Sequence, residues 1–317
     1  MTVSDPSTSP IILILGPTAT GKSAVAIETA LAVQGEVISA DSRAFFRELD
    51  IVTDKPTLAA RRGVTHHLLD IVEIDGHYDA ISFRGDVERL LPKIEQRGHL
   101  PLVVGGGTLY LGALMRGIFS GPSADEGLRE TLLAQPLARL YQRLEEVDPT
   151  AATKIHENDR LRVVRALEVY ELTGQPISEL QKKARPIAHP FVPFGLKRER
   201  DDHRQAIAVR VEEMFRRGLI NEVAHLRRSG LGPGHQAYRT IGVRETFAYL
   251  DGEISREQLQ EQIVHKTWAL ARRQMAWFRN DCGIDWIDIT GQTPRVTAEE
   301  IVRKYNQKKG FLTVKPR

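Results

Sequence analysis

Eight residues, Gly16-Pro17-Thr18-Ala19-Thr20-Gly21-Lys22-Ser23, follow the pattern G-x-x-x-x-G-K-[ST]. They stand between a short apolar run, 11–15, and an alanine-rich stretch from Ala24 to Val33. That context is strand, glycine loop, helix. The glycines let the backbone turn its N–H groups toward an anion, and the helix N-terminus adds a partial positive charge. Lys22 is placed for a terminal phosphate and the Ser23 hydroxyl for Mg²⁺. The loop therefore predicts a bound di- or triphosphate, held by residues 16 to 23. It does not by itself predict hydrolysis. An ATPase normally carries an apolar strand that ends in Asp, whereas the apolar run at 101–104 ends in Gly105-Gly106-Gly107. The run Val37–Ala40 does end in an acid, Asp41, which in small-molecule kinases can serve as a base toward the acceptor. Two classes stay open on these residues alone. One is a kinase; the other is a transferase whose loop holds a diphosphate leaving group.

The elements that must carry these residues follow from periodicity. Strands are expected at 11–15, 37–40, 67–71, 100–104, 191–196 and 284–289. Helices are expected at 24–33, 83–97, 128–146, 158–173, 176–184, 203–228, 242–250 and 255–279, with breaks at Pro149, Gly174 and Pro186. Strands alternating with helices predict an α/β fold with a parallel P-loop sheet flanked by helices. The charged helical stretch in the middle reads as an insertion. The expected division is a catalytic core of 1–119 and 191–317, with a mostly helical insertion domain at 120–190. His66 and His67 are neighbours on a strand and point to opposite faces, so they read as structural rather than as a metal pair. Trp268, Trp277 and Phe278 lie on a long helix and read as core.

Composition sets the outer limits. The 317 residues are 41% hydrophobic and 27% charged, ordinary for a globular chain. The single cysteine, Cys282, excludes an intrachain disulfide and a multi-cysteine zinc site, and fits a reducing cytoplasm. No apolar run approaches the roughly 20 residues that span a bilayer. The start, MTVSDPSTSP, has neither a basic nor an apolar signal region and is expected to be a disordered lead-in. The net charge of +3 is unevenly spread: residues 1–153 carry −6 and residues 154–317 carry +9. A basic second half suits a polyanionic partner.

Segments outside the loop narrow the choice. ISADSR (38–43), DIVTDKP (50–56), HHLLDI (66–71), LVVGGGTLYL (102–111), HENDRLRVVRALEVYELTGQPIS (156–178), YRTIGVRE (238–245) and RRQMAWFR (272–279) come in the order and spacing of bacterial tRNA dimethylallyltransferases, which the chain resembles over nearly its whole length. The resemblance implies a P-loop core with a helical insertion and a deep channel. It also implies Mg²⁺-dependent attack on dimethylallyl diphosphate by N6 of the adenosine 3′ of the anticodon, by a cytoplasmic monomer acting on tRNA. Asp41 is then the general base. Thr18 and Lys22 stabilise the departing diphosphate, with Arg244 across from them. The resemblance places the tRNA contacts at Asp41, Ser42, Arg43, Ala44, Gly107, Arg129, Arg162, Arg165, Arg239 and Arg244. Adenylate isopentenyltransferases, which act on free nucleotide, are the nearest alternative, ahead of a small-molecule kinase or a nucleotide-sensing RNA-binding protein.

The chain departs from the family at Arg43-Ala44-Phe45-Phe46, at Ile241-Gly242-Val243, and at Gly107, which holds the place of a family threonine with Thr108 following. A shift of one position normally turns a side chain to another face. The Gly107 backbone or a water is therefore expected to take over that contact, and Thr108 to leave it. Without an acid at the end of the 101–104 strand, ATP should compete with the prenyl donor and stay intact. Phosphate release in the presence of tRNA measures this, and sustained release would return the loop to the NTPases.

Overall fold

The computed structural model describes residues 9–280 and 283–312, the last three by backbone only. Cys282 and most of the expected lead-in lie outside the described residues. Six strands form one parallel sheet: β1 (Ile11–Leu15), β2 (Gly35–Ser39), β3 (His66–His67), β4 (Leu100–Gly105), β5 (Phe191–Lys197) and β6 (Asp285–Asp288). Their order across the sheet is β3-β2-β4-β1-β5-β6. All five residues of β1 are buried, as a central strand covered on both faces requires. One face packs Ile12, Ile14, Val104 and Phe194 against the helices Lys22–Val33 and Pro294–Leu312. A second core cluster gathers Phe46, Leu49 and Val52 with the helices Arg200–Arg217, Leu219–Arg228, Val243–Leu250 and Arg256–Arg279. The chain moves outward from β1 to β2 and β3, then returns through β4 and crosses to β5. That reversal opens a crevice at the carboxyl ends of the strands, where open α/β sheets bind ligands.

The expected α/β fold is present, with local corrections. The helix expected at 203–228 is two helices, divided at Gly218, whose φ of 100° belongs to the left-handed region. The helix expected at 128–146 is likewise two, Glu126–Leu133 and Leu137–Val147, separated at Pro136. The third strand shrinks to two residues because Leu68 and Asp70 adopt positive φ, which extended backbone does not tolerate. The helix Pro294–Leu312 has no counterpart in the periodicity reading.

The chain divides into two units, 1–111 with 188–317, and 112–187. The second therefore starts earlier than the expected 120 and ends before 190. Its two chain ends are tied together: Ile187 N–H donates to the Leu114 carbonyl, and Gly117 lies against the Arg185 backbone so closely that a β-carbon would meet it at 2.3 Å. Within this unit the fully buried Glu168 accepts from the Asp125 N–H and pairs with Arg129 and Arg165. Asp148 caps Ala151 and also accepts from the Ser178 N–H and hydroxyl.

His66 and His67 engage different partners, as their alternation requires. His66 Nδ1 meets the Val64 carbonyl, and His67 Nε2 meets Glu36 at 2.5 Å. Glu36 is buried on β2 and also takes two bonds from Arg97, at 2.8 and 2.7 Å, and one from His99 at 2.6 Å. The Arg97 bonds chiefly, with His67 and His99, outweigh burial and hold its carboxyl down from 4.5 to about 2. A depressed acid stabilises the fold above its unfolded value and loses that contribution as pH falls through the folded one. Glu36→Gln should therefore cost about 3 kcal/mol at neutral pH. It should also flatten the decline in stability between pH 4.5 and 2, measured by urea unfolding across that range.

Candidate active site

The loop after β1 turns through positive-φ backbone into a helix. Gly16, Ala19 and Gly21 have φ of 146°, 62° and 76°, and Gly21 leads into the helix that starts at Lys22. Successive N–H groups in such a turn face one point and favour an anion. The Thr20 hydroxyl and the Lys22 ammonium both donate to the Pro17 carbonyl, at 2.9 and 2.6 Å, closing the loop on itself. Burial pushes the Lys22 ammonium down to about 7; the charge of Asp41 opposes the shift and that of Arg210 adds to it.

Thr18, at the tip of the loop, is held at three atoms by side chains from the far end of the sequence. Its N–H donates to Gln274 Oε1 at 2.9 Å, its carbonyl meets His203 Nε2 at 2.8 Å, and its hydroxyl accepts from Arg210 at 2.6 Å. Burial lowers His203 and favours its neutral ring, which donates through Nε2 to the carbonyl. Arg210 is held in turn by the Thr53 carbonyl at 3.1 Å and the Asp54 carboxylate at 3.3 Å, and Asp54 also pairs with Arg217 at 3.0 Å. Residues 50–55 are fixed for this role. Glu222 accepts the N–H groups of Asp50, Ile51 and Val52, and the buried Lys55 ammonium binds Asp50, Asp70 and the Phe46 carbonyl.

Two cavities of about 480 and 490 Å³ meet at this point. Thr18, Asp41, Thr53, Gly106, Arg210 and Gln274 line both. The first cavity continues past Ser42, Arg43, Gly107, Thr108, Gln236 and Arg239. The second continues past Ala19, Gly21, Lys22, Ser23, Ala44 and Lys55. Asp41 Oδ1 accepts the Arg43 N–H at 2.9 Å, which fixes the carboxylate at the junction. The Arg43 guanidinium donates to the Gln236 carbonyl at 2.8 Å, and Gln236 brackets the Tyr78 backbone with bonds of 2.9 and 3.0 Å. This arrangement can hold an anion in one cavity and a second molecule in the other, with an acid between them.

The expected residues sort as follows. Of the loop, Gly16, Pro17 and Thr20 line neither cavity; Ala44 lines the second cavity, and Thr18, Ala19, Gly21, Lys22, Ser23, Asp41, Ser42, Arg43, Gly107 and Arg239 stand on the cavity walls. Arg244 does not: its side chain is 65% exposed and lines neither cavity. Gly242, at φ 99°, opens the helix so that Glu245 turns inward instead, capping the Gly242 N–H at 2.7 Å and pairing with Lys266 at 2.6 Å. The guanidinium opposite the loop is Arg210. Arg129, Arg162 and Arg165 belong to the 112–187 unit and line neither cavity; the first and last hold Glu168, and Arg162 pairs with Asp159 at 3.2 Å. Thr108, whose substrate contact is expected to pass to the Gly107 backbone or a water, lines the first cavity beside Gly107. A β-carbon at 107 would lie 2.5 Å from the Ala40 carbonyl oxygen, so this backbone admits only glycine there. Phe278 is buried, and Trp268 packs on the helical core cluster, edge-on to His203.

Sequence reasoning missed Arg210, His203 and Gln274, although a signal existed. His203 and Arg210 interrupt the buried stripe of Ile207, Val211 and Met214, and Gln274 continues the spacing of Ile263, Thr267 and Leu270. A polar group on a core stripe needs a partner, and here the partner is the loop.

A model of the IPP transferase family matches residues 44–281. The chain belongs to this family. A tRNA dimethylallyltransferase of Pelotomaculum thermopropionicum is 42% identical over 301 residues, 93% of this chain and 96% of that one. The tRNA dimethylallyltransferase of Thermotoga maritima is 41% identical over 285 residues, 88% of this chain and 92% of that one. Among solved structures, a tRNA isopentenylpyrophosphate transferase of Bacillus halodurans superposes with a TM-score of 0.71 at 33% identity, covering 96% of this chain and 99% of that one. A eukaryotic dimethylallyltransferase acting on tRNA gives a TM-score of 0.82 at 26% identity, over 98% and 81%.

The lowered Lys22 gives this IPP transferase a pH signature. A bound diphosphate favours the charged ammonium, so binding above pH 7 must take up a proton. Affinity for an unreactive organic diphosphate should fall by about tenfold per pH unit above 7. Calorimetry at pH 8 in buffers of different ionisation enthalpy should show uptake of about 0.9 proton, and Lys22→Met should abolish both effects.

Proposed function

We propose that this IPP transferase moves the dimethylallyl group of dimethylallyl diphosphate to N6 of the adenosine 3′ of the anticodon in tRNA, releasing diphosphate. The observation that carries the reading is the shared wall of the two cavities. Lys22 and the loop N–H groups stand on one side, Ser42, Arg43 and Arg239 on the other, and Asp41 with Arg210 stand where the two meet. The names of the relatives that match over nearly the whole chain support tRNA as the acceptor.

In this reading the diphosphate lies on the phosphate loop and its allylic carbon points into the junction. The exocyclic nitrogen enters from the other side, from a base turned out of its stack, since a stacked or paired nitrogen cannot be alkylated in place. The C–N bond forms as the C–O bond breaks, and the bonding pair leaves with the diphosphate. Lys22 and Arg210 meet the charge that grows on the leaving group, where fixed cations act most strongly. The N6 proton passes to Asp41, which also orients a nitrogen whose lone pair is delocalised into the ring. Hard oxygen donors on the loop side, the Ser23 hydroxyl and the Asp41 carboxylate, fit Mg²⁺ and would hold it there. When bound, the ion would screen the charge of the leaving group. We expect the enzyme to act as a monomer. Among the described residues no helix is long and apolar enough to cross a membrane. We place the enzyme in the cytoplasm with its tRNA substrate.

The test offers radiolabelled dimethylallyl diphosphate with either tRNA or AMP. Label should enter tRNA; label in AMP alone would favour an adenylate isopentenyltransferase. Asp41→Asn should fold and bind the donor while losing about 10²–10⁴-fold in turnover. Unchanged kcat in that variant would remove Asp41 from the base role.

A further inference from the structure

The reading above gives Asp41, Lys22 and Arg210 their tasks and leaves Gln274 without one. This side chain stands at the junction of both cavities and makes one bond to each side. Its Oε1 accepts the Thr18 N–H at 2.9 Å, and its Nε2 donates to the Gly106 carbonyl at 2.8 Å. Thr18 belongs to the diphosphate loop. Gly106 belongs to the turn after β4, and its neighbour Gly107 donates to the Ala40 carbonyl at 3.1 Å, directly before Asp41. A single amide thus joins the loop that holds the leaving group to the backbone that carries the base. The fit is close: a β-carbon on Gly106 would meet Gln274 Nε2 at 2.6 Å and the Gly16 carbonyl at 3.0 Å. Buried residues Ala271 and Phe278, three before and four after Gln274, anchor its own helix on the same side.

We propose that Gln274 is a positioning residue that sets the spacing between the diphosphate loop and the acceptor turn, so that the allylic carbon and the attacking nitrogen meet at bonding distance. The proposal rests on the prenyl-transfer reading for its consequence in rate, though the contact itself does not. Only a side chain that accepts at one atom and donates at the other completes both bonds. Reacting atoms must come within roughly 3–3.5 Å, and a misplacement of about 1 Å can cost 10²-fold in rate.

Two variants test this. Gln274→Met keeps length and packing but removes both hydrogen bonds. It should fold with a Tm close to that of the wild type and lose about a hundredfold in kcat. KM for donor and for tRNA should stay within about threefold. Gln274→Glu separates polarity from packing. Its ionised carboxylate can accept from Thr18 but confronts the Gly106 carbonyl without a proton, whereas the neutral acid donates and restores the pair. Its rate, divided by the wild-type rate at the same pH, should therefore rise as pH falls toward the carboxyl range. A residue that only fills space has no such profile. Deuterium exchange of the 16–23 peptide in the free enzyme gives a readout independent of turnover, and should be faster in Gln274→Met, because the Thr18 N–H has lost its acceptor. Wild-type kcat in Gln274→Met, or a flat pH ratio in Gln274→Glu, overturns the proposal. A wild-type enzyme that does not prenylate tRNA, with exchange still accelerated in Gln274→Met, would overturn the functional reading and leave the spacing role standing.

Discussion

Thr18 makes three hydrogen bonds to side chains 185, 192 and 256 positions away in the sequence, one at each of its polar atoms. The geometry where the two cavities meet hangs on this residue. A glycine-rich loop is a shallow structure by itself, since glycine carries the largest backbone entropy to be lost on ordering. Fixing its tip from outside puts that cost into the folding of the helices Arg200–Arg217 and Arg256–Arg279, before any substrate arrives. The bond from Arg210 is charge-assisted, and such bonds contribute about 1.5–3 kcal/mol each. Because both helices belong to one apolar cluster with Phe46, Leu49 and Val52, the hydrophobic packing of that cluster sets the position of the loop.

Charge is arranged around the same point. Lys22 is held where burial works against its ammonium, and Arg210 beside it adds to that strain. Asp54 offsets part of the cost by pairing with Arg210 and Arg217. The result is a site with an excess of positive charge that an anion would offset. Asp41 lies at the edge of this field, close enough to oppose the Lys22 shift and on the wall shared by the two cavities. One carboxylate thus lines both cavities.

The excess of positive charge in the second half is not all presented outward. Arg129, from the first half, and Arg165 are used inside the 112–187 unit, where the buried Glu168 requires them. A buried carboxylate left without such partners would carry a large penalty. Lys266 is tied to Glu245, and Lys304 and Lys308 to Asp285. Arg43 and Arg239 stand on a cavity wall, while Arg162 is exposed on its helix.

By itself the sequence determined the phosphate loop, the central strands β1, β2 and β4, Asp41 at the end of β2 and the alternation that makes a parallel sheet. All of these depend on patterns a few residues long: apolar runs, glycine spacing, an acid directly after a strand. Local pattern also separated the tasks of His66 and His67. Tertiary structure alone decided which arginine meets the loop. Arg244 and Arg210 both begin as charged residues on helices, but the positive φ of Gly242 turns Glu245 rather than Arg244 inward, and the buried stripe of the helix Arg200–Arg217 carries Arg210 to Thr18. The tie from Gln274 to Gly106, and the closeness of Gly107 to Ala40 that keeps side chains out of that turn, were equally out of reach. Each depends on two segments far apart in the chain meeting within hydrogen-bond or van der Waals distance, and that distance is fixed only when the whole core has packed.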